Sequence, residues 1–180
     1  SVAENADLNT VIYDAEATDP DGDTLTYSVS GTDASYVEID EDDGEVRLKE
    51  SADYETKDSY TFDVTASDGE LSDTKTVTVN VTDVNEVSNI TSSETGSVEE
   101  NADITTVIYN GEATDPDGDT LTYSVSGTDA SYVEIDEDDG EVRLLNPADY
   151  ETKDSYTFDV TASDGSLSDT KSVTVNVTDV

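Results

Sequence analysis

Apolar and polar residues alternate over much of the first 86 positions, a period-two pattern typical of strands that bury one face. Asp-Gly pairs at 21–22, 43–44 and 68–69 supply turn residues between them. With a short strand around Val2, about seven strands are expected, and no apolar stripe of helical period is present. The pattern predicts an all-β sandwich with little helix. The alternating residues predicted to face inward are Val11, Tyr13, Ala15, Ala17, Leu25, Tyr27, Val29, Val37, Ile39, Val46, Leu48, Tyr60, Phe62, Val64, Ala66, Val77, Val79 and Val81.

The chain contains an internal repeat with an offset of 96 residues. Residues 1–7 return as residues 97–103, and the 84 overlapping positions differ at ten places without a gap. We therefore predict two tandem domains, 1–86 and 87–180. Residues 87–96 are Ser- and Thr-rich, which suits either a flexible tether or a first strand of the second copy. We favour a short, ordered connection, and we expect the parent protein to contain a longer array of such repeats.

The composition of the chain limits the partners and the kinds of metal site that it can have. The formal net charge of −39, from 46 acidic and 7 basic residues, argues against nucleic acid and anionic lipid as partners. Cys and His are absent, which excludes disulfides and thiolate sites and leaves the oxygen ligands that calcium or magnesium prefers. No apolar run is long enough to insert into a membrane. Because the sequence does not begin with Met, we expect it to be a piece of a longer protein.

The repeats meet at residues 82–86, a run of oxygen donors with no Lys or Arg nearby. These donors repel one another unless a cation lies between them. A β fold can bring further acidic residues to this junction from both copies, so we predict that calcium joins the copies here. The acidic residues expected at the junction are Glu4, Asp53 and Glu55 from the first copy and Asp115, Asp117, Asp119 and Asp164 from the second.

The acidic residues also invite two other interpretations, which the sequence disfavours. Residues 19–23 resemble the start of an EF-hand loop, but Gly22 is at the fourth position instead of the sixth and Ser30 occupies the place of the final Glu. Paired carboxylates are also used by glycosidases, but catalysis needs a cleft and unequal environments, which small repeated sandwiches lack. We therefore predict that the chain is not an enzyme.

Six motifs, in order along the first copy, resemble the cadherin repeat family, and the resemblance extends over both copies. In the first copy they occupy residues 2–5, 17–21, 39–46, 53–55, 64–68 and 83–86, and residues 21–27 look most like the cadherin-like modules of large bacterial surface adhesins. The resemblance implies seven-stranded Greek-key sandwiches, arranged end to end, with calcium bound between successive units. Residue by residue, it implies a ligand set of Glu4, Asp53, Glu55, Asp83, the Val84 carbonyl, Asn85, Glu86, Asp115, Asp117 and Asp164.

This sequence departs from the family pattern at three places. Glu86 stands where the family usually has Asp, Val87 where it usually has Asn, and Tyr54 where it usually has Arg. The first two leave the number of ions open. The outer ends of the chain lack a complete ligand set, so strong binding is expected only at the junction.

The sequence therefore predicts an extracellular, calcium-rigidified extender module of a secreted or cell-surface adhesin. Its partners would be calcium ions and neighbouring repeats of the same array. The rival interpretation is a calcium-dependent binding module for polysaccharide or for a like module in homophilic cell–cell contact.

Overall fold

A computed structural model describes all residues, 1–180. The chain divides into two compact units, unit 1 from Ser1 to Val84 and unit 2 from Asn85 to Val180. Neither contains an α-helix; each has a single short 3₁₀ turn, Ala34–Tyr36 and Ala130–Tyr132. The predicted all-β fold class is confirmed, whereas the predicted domain boundary after Glu86 stays a prediction.

Unit 1 consists of seven strands in two sheets. One sheet has the order β1-β7-β6-β3 and the other β2-β5-β4. Only β1 runs parallel to its neighbour, β7. The strands are β1 (Val2–Ala3), β2 (Tyr13–Asp14), β3 (Thr26–Ser30), β4 (Val37–Ile39), β5 (Glu45–Leu48), β6 (Ser59–Ser67) and β7 (Ser72–Thr82).

Unit 2 repeats these sheets and adds a short strand pair. Its sheets have the orders β12-β15-β16-β9 and β10-β14-β13, and β8 pairs with β11. The strands are β8 (Asn89–Ile90), β9 (Thr95–Glu99), β10 (Val107–Asn110), β11 (Ala113–Thr114), β12 (Thr122–Ser126), β13 (Val133–Ile135), β14 (Glu141–Leu144), β15 (Ser155–Ser163) and β16 (Ser168–Thr178).

Each unit has one hydrophobic core to which both of its sheets contribute. The long strands β6 and β7 follow the predicted alternation, with Tyr60, Phe62 and Val64 buried on one strand and alternate valines buried on the other. Phe62 and its repeat counterpart Phe158 are the largest fully buried side chains. Burying such a side chain contributes about 1.5–3 kcal/mol, so these strands account for much of the hydrophobic stabilisation.

The alternation predicted for residues 11–17 is wrong at Val11, Ile12 and Ala17, whereas Ala15 is buried as predicted. Ile12 is buried and Val11 is 38% exposed, the reverse of the predicted faces. Unit 2 shows the reason, because the pairing of β10 with β14 shifts between Val107 and Tyr109. Such an irregularity inserts an extra residue and moves the following side chains to the other face. The regular strand in unit 1 is accordingly only Tyr13–Asp14.

No helix of the structure is long and apolar enough to span a bilayer.

Candidate metal-binding sites

Glu4 is the most deeply buried acidic residue of the predicted ligand set, with 3% of its surface exposed. It follows β1, and its own amide donates to the Thr82 carbonyl over 3.0 Å. Its carboxylate accepts hydrogen bonds from the amides of Tyr54 (2.9 Å) and Val84 (2.6 Å). The next residue, Asn5, has a φ of 56°, a conformation that Asn tolerates better than most residues. Glu4 is thereby held between two of the predicted ligand segments.

Two exposed carboxylates of unit 1 approach Glu4. One oxygen each from Glu4, Glu55 and Asp83 lie within 4.8 Å of one another. Asp53 uses both oxygens locally, accepting from the amide and the hydroxyl of Thr56, each over 2.9 Å. Unit 1 therefore brings three of its predicted acidic ligands together, while Asp53 stabilises the adjoining turn.

The first two residues of unit 2, Asn85 and Glu86, contact the loops that contain the predicted aspartates. The Asn85 side-chain amide donates to Asp164 Oδ2 over 2.9 Å. The Glu86 backbone amide donates to Asp117 Oδ2 over 2.7 Å. Asn85, Glu86, Asp117 and Asp164 are thus linked by hydrogen bonds.

Two carboxylate oxygens in this region of unit 2 are buried without a hydrogen-bond partner, Asp115 Oδ2 and Asp117 Oδ1. The other oxygens of these side chains are satisfied, Asp115 Oδ1 by the Asp119 amide over 3.2 Å and Asp117 Oδ2 by the Glu86 amide. Leaving a buried, charged oxygen unpaired costs several kcal/mol. Hard divalent cations take such oxygens as ligands, so this donor set fits calcium.

Hydrogen bonds from its neighbours favour the ionised form of Asp164. Amide hydrogen bonds from Leu167 (2.7 Å) and Ser166 (2.5 Å) converge on its Oδ1. The Leu167 amide, then the Asn85 side chain, then the Ser166 amide hold the pKa of Asp164 below its usual value. The carboxylate therefore stays negative well into the acidic range, as a cation ligand must.

The predicted ligand set omitted a second acidic group in unit 2. One oxygen each from Glu100, Asp149 and Glu151 lie within 4.8 Å of one another, and Glu100 also accepts the Val180 amide over 3.0 Å. These residues are the repeat counterparts of Glu4, Asp53 and Glu55. The offset of 96 between the copies is the sequence signal that could have found this second group.

Comparison with known proteins places the fold in a defined family. The cadherin domain family matches residues 1–82 and 94–178. Among curated relatives, human Cadherin-23 is 31% identical over 189 residues, covering 99% of this chain and 6% of that protein. Human Protocadherin Fat 1 is 37% identical over 164 residues, covering 85% and 4%. The chain therefore spans only a small fraction of the length of these relatives.

Solved structures of cadherin domains have the same fold as this chain. The chain superimposes on human protocadherin-24 EC1-2 with a TM-score of 0.76 at 22% identity, covering 99% of this chain and 94% of that one. For mouse cadherin-23 EC22-24 the TM-score is 0.70 at 26% identity, with coverage of 99% and 61%. Cadherin domains are adhesion modules of cell-surface proteins and are not enzymes, in agreement with the non-enzymatic prediction. The chain belongs to the cadherin domain family and contains two such domains in tandem.

Proposed function

We propose that this chain is a calcium-binding pair of repeats that serves as an extender in the extracellular part of an adhesion protein. The observation that carries the proposal is the pair of buried, unpartnered oxygens on Asp115 and Asp117. The carboxylates gathered in unit 1 and the general calcium binding of cadherin domains support it.

The residues that would hold calcium are those of the predicted set. Unit 1 would contribute Glu4, Asp53, Glu55, Asp83 and the Val84 carbonyl, and unit 2 would contribute Asn85, Glu86, Asp115, Asp117 and Asp164. With a Kd near 0.1 mM and about 10 mM calcium, each site would stabilise the folded chain by ~2.7 kcal/mol. Two or three such sites are comparable to the whole stability of a small domain.

The decisive experiment is titration calorimetry on a matched pair of variants. Asp117→Asn keeps the size of a proposed ligand but removes its charge, and we expect calcium affinity to fall about tenfold or more. Asp21→Asn makes the same change at the repeat counterpart in unit 1, where strong binding is not expected, and should leave the tightest binding intact. Unchanged affinity in Asp117→Asn would contradict the proposal.

We further propose that bound calcium stiffens the array of repeats, so that a distal binding domain is held away from the cell. Small-angle scattering of the full chain should show smaller, more variable dimensions after calcium is chelated. Asp117→Asn with calcium present should resemble the chelated wild type. Scattering that does not respond to chelation would refute the stiffening role while leaving calcium binding itself intact.

The parent protein and its contacts are a separate proposal. The bacterial-adhesin type of module suggested by residues 21–27 is retained as a proposal, although the relatives named above are animal proteins. A rival function is contact with a like module or with polysaccharide. Homophilic contact has one observation in its favour, the solved "cis-dimer" of protocadherin gammaB7 EC3-6, 25% identical with a TM-score of 0.64 over 89% of this chain. Sedimentation with calcium would show self-association under the rival and a monomer under the extender function.

A further inference from the structure

A cavity in unit 1 lies beside a stacked pair of tyrosines. The ring centroids of Tyr36 and Tyr60 are 5.7 Å apart, with the ring planes tilted by 58°. Tyr60 is buried, whereas 47% of Tyr36 is exposed. A ring that is held by its neighbour offers apolar contact area at a small entropic cost, so Tyr36 is suited to bind a flat ligand. The cavity has a volume of about 450 Å³, and its lining includes Tyr36, Tyr60, Glu50, Ser51, Asp53 and Lys57.

Most charged groups of this cavity already have partners. Lys57 Nζ pairs with Asp33 Oδ1 at 3.0 Å. Both oxygens of Asp53 accept hydrogen bonds from Thr56. The exposed carboxylate of Glu50, in contrast, has no hydrogen bond or ion pair within the chain. Because the net charge of the chain is −39, the field around this free carboxylate attracts cations and repels anions.

The Lys57 ammonium restricts which cations can use the tyrosine rings. It lies 5.5 Å from the Tyr36 centroid and 5.3 Å from the Tyr60 centroid, within the range of a cation–π contact. The charged group of a basic peptide would be repelled by this ammonium if it stacked on Tyr36. The C–H face of a sugar ring is uncharged and avoids that repulsion. An amino sugar can therefore cover Tyr36 with its ring and direct its own ammonium group to Glu50.

Unit 2 has the same aromatic pair with a different rim. Tyr132 and Tyr156 are again 5.7 Å apart, and Lys153 lies over both rings. The copies differ at ten of 84 aligned positions, and three of these differences are consecutive. Residues 49–51 of unit 1 read Lys-Glu-Ser, whereas residues 145–147 of unit 2 read Leu-Asn-Pro. Unit 2 thus keeps the aromatic pair but lacks the free carboxylate at its rim.

We propose that the cavity of unit 1 binds a saccharide and prefers one with a free amino group. The sugar ring stacks on Tyr36, its ammonium group pairs with Glu50, and a hydroxyl bonds to Ser51. Unit 2 binds the same saccharide less tightly, because Asn146 carries no charge and Pro147 has neither a hydroxyl nor an amide hydrogen. This binding goes beyond the extender function, and it rests on the polysaccharide contact proposed above as the rival function.

The test is an NMR titration of the full chain at saturating calcium and about 0.15 M salt, where the screening length is about 8 Å. The probe is a linear trimer of glucosamine at about pH 6, where its amino groups are protonated. The N-acetylated trimer has the same rings without the charge, and spermidine has the same number of amines without the rings. The amides of residues 50–57 report on unit 1, and those of residues 148–153 report on unit 2.

The glucosamine trimer should bind unit 1 about tenfold or more tightly than either control compound does, and more tightly than it binds unit 2. Equal binding of spermidine would overturn the proposal in favour of a simple cation site, such as a basic peptide would use. Equal binding of the acetylated trimer would refute the preference for an amino group. The absence of any response at residues 50–57 would refute the site itself.

Exchanging the two rims separates the proposed site from nonspecific attraction to a polyanion. Glu50→Asn with Ser51→Pro gives unit 1 the rim of unit 2, and Asn146→Glu with Pro147→Ser makes the reverse change. Each rim already occurs in one of the two copies, so both variants should fold. We expect the preference to move with the rim, and a preference that stays with unit 1 in both variants would contradict the role of Glu50. Calcium affinity, measured by calorimetry, should not change, because none of these residues belongs to the proposed calcium ligands.

Discussion

At the residue scale, a buried carboxylate outside the metal sites, Asp33, holds a backbone amide and a lysine of unit 1 in place. Asp33 accepts the Thr61 amide over 2.7 Å and pairs with Lys57 Nζ at 3.0 Å. Lys57 also lies 5.5 and 5.3 Å from the ring centroids of Tyr36 and Tyr60. The Thr61 amide, helped by Lys57 and opposed by burial, holds the pKa of Asp33 below its usual value.

This depressed pKa predicts a pH dependence. Because folding favours the ionised form of Asp33, its contribution is fully present above the unfolded-state pKa, near 3.9. The contribution is lost as the pH falls through the lower folded-state value. Asp33→Asn should cost about 1–2 kcal/mol at neutral pH and flatten the loss of stability below about pH 4.

Urea unfolding at several pH values, followed by tyrosine fluorescence, measures this effect. The control is Asp42→Asn, which removes one charge from an exposed turn and should leave the pH profile unchanged. If the Asp33→Asn profile matched that of wild type at every pH, the assigned role of Asp33 would be wrong.

Two glycines with positive φ allow the cost of backbone strain to be distinguished from the cost of steric crowding. Gly44 has a φ of 80°, and an added Cβ would lie 2.7 Å from the Ala15 carbonyl oxygen. Gly69 has a φ of 96° but open space around it. Gly69→Ala should therefore destabilise by about 1–2 kcal/mol, and Gly44→Ala by about 2–5 kcal/mol. Equal losses in thermal denaturation of the two variants would show that crowding at Gly44 is relieved.

At the element scale, β8 completes a strand edge of unit 2 by pairing with β11. Lys171 holds β8 through two carbonyls, whereas its counterpart Lys75 is exposed and lies 5.9 Å from the ring centroid of Tyr13. The strand pattern of β6 and β7 was predictable, because regular pairing keeps strict alternation. The sequence does not decide between a strand and a tether at residues 89–90, because two apolar residues in a Ser/Thr-rich stretch suit both.

This difference gives a prediction with an internal control. Lys171→Ala should destabilise unit 2 by about 1.5–3 kcal/mol, because two hydrogen bonds from a charged donor are lost. Lys75→Ala should change stability by less than about 0.5 kcal/mol. Hydrogen exchange at residues 90–92 measures this loosening directly, and protection there that survives Lys171→Ala would contradict the role assigned to Lys171.

At the scale of the whole molecule, repulsion among the carboxylates is the main electrostatic effect on stability. The net charge of −39 is spread over 180 residues. Four of the seven basic side chains are already paired with carboxylates: Arg47 with Glu45, Arg143 with Glu141, Lys57 with Asp33 and Lys153 with Asp129. The remaining carboxylates repel one another, which destabilises the compact state.

Screening should therefore stabilise the chain even without calcium. With a chelator present, raising sodium chloride from low concentration to about 1 M shortens the screening length from tens of ångströms to about 3 Å. We expect the Tm of each unit to rise, by about 4–8 °C for each kcal/mol of repulsion removed from it. Sucrose, which favours burial without screening, is the control. A Tm that falls with salt would show that attractive ion pairs outweigh repulsion.

The sequence by itself determined the fold class, the repeat and the kind of ligand chemistry, because alternation, self-similarity and the absence of Cys and His are visible without a structure. Tertiary structure decided what depends on distant residues: the reversed faces at Val11 and Ile12, the approach of Glu55 and Asp83 to Glu4, and the unpartnered oxygens of Asp115 and Asp117. It also decided that residues 89–90 pair as a strand with β11 and bury Ile90 in unit 2. Pairing partners and burial are set by packing between strands far apart in the chain, and local patterns do not record them.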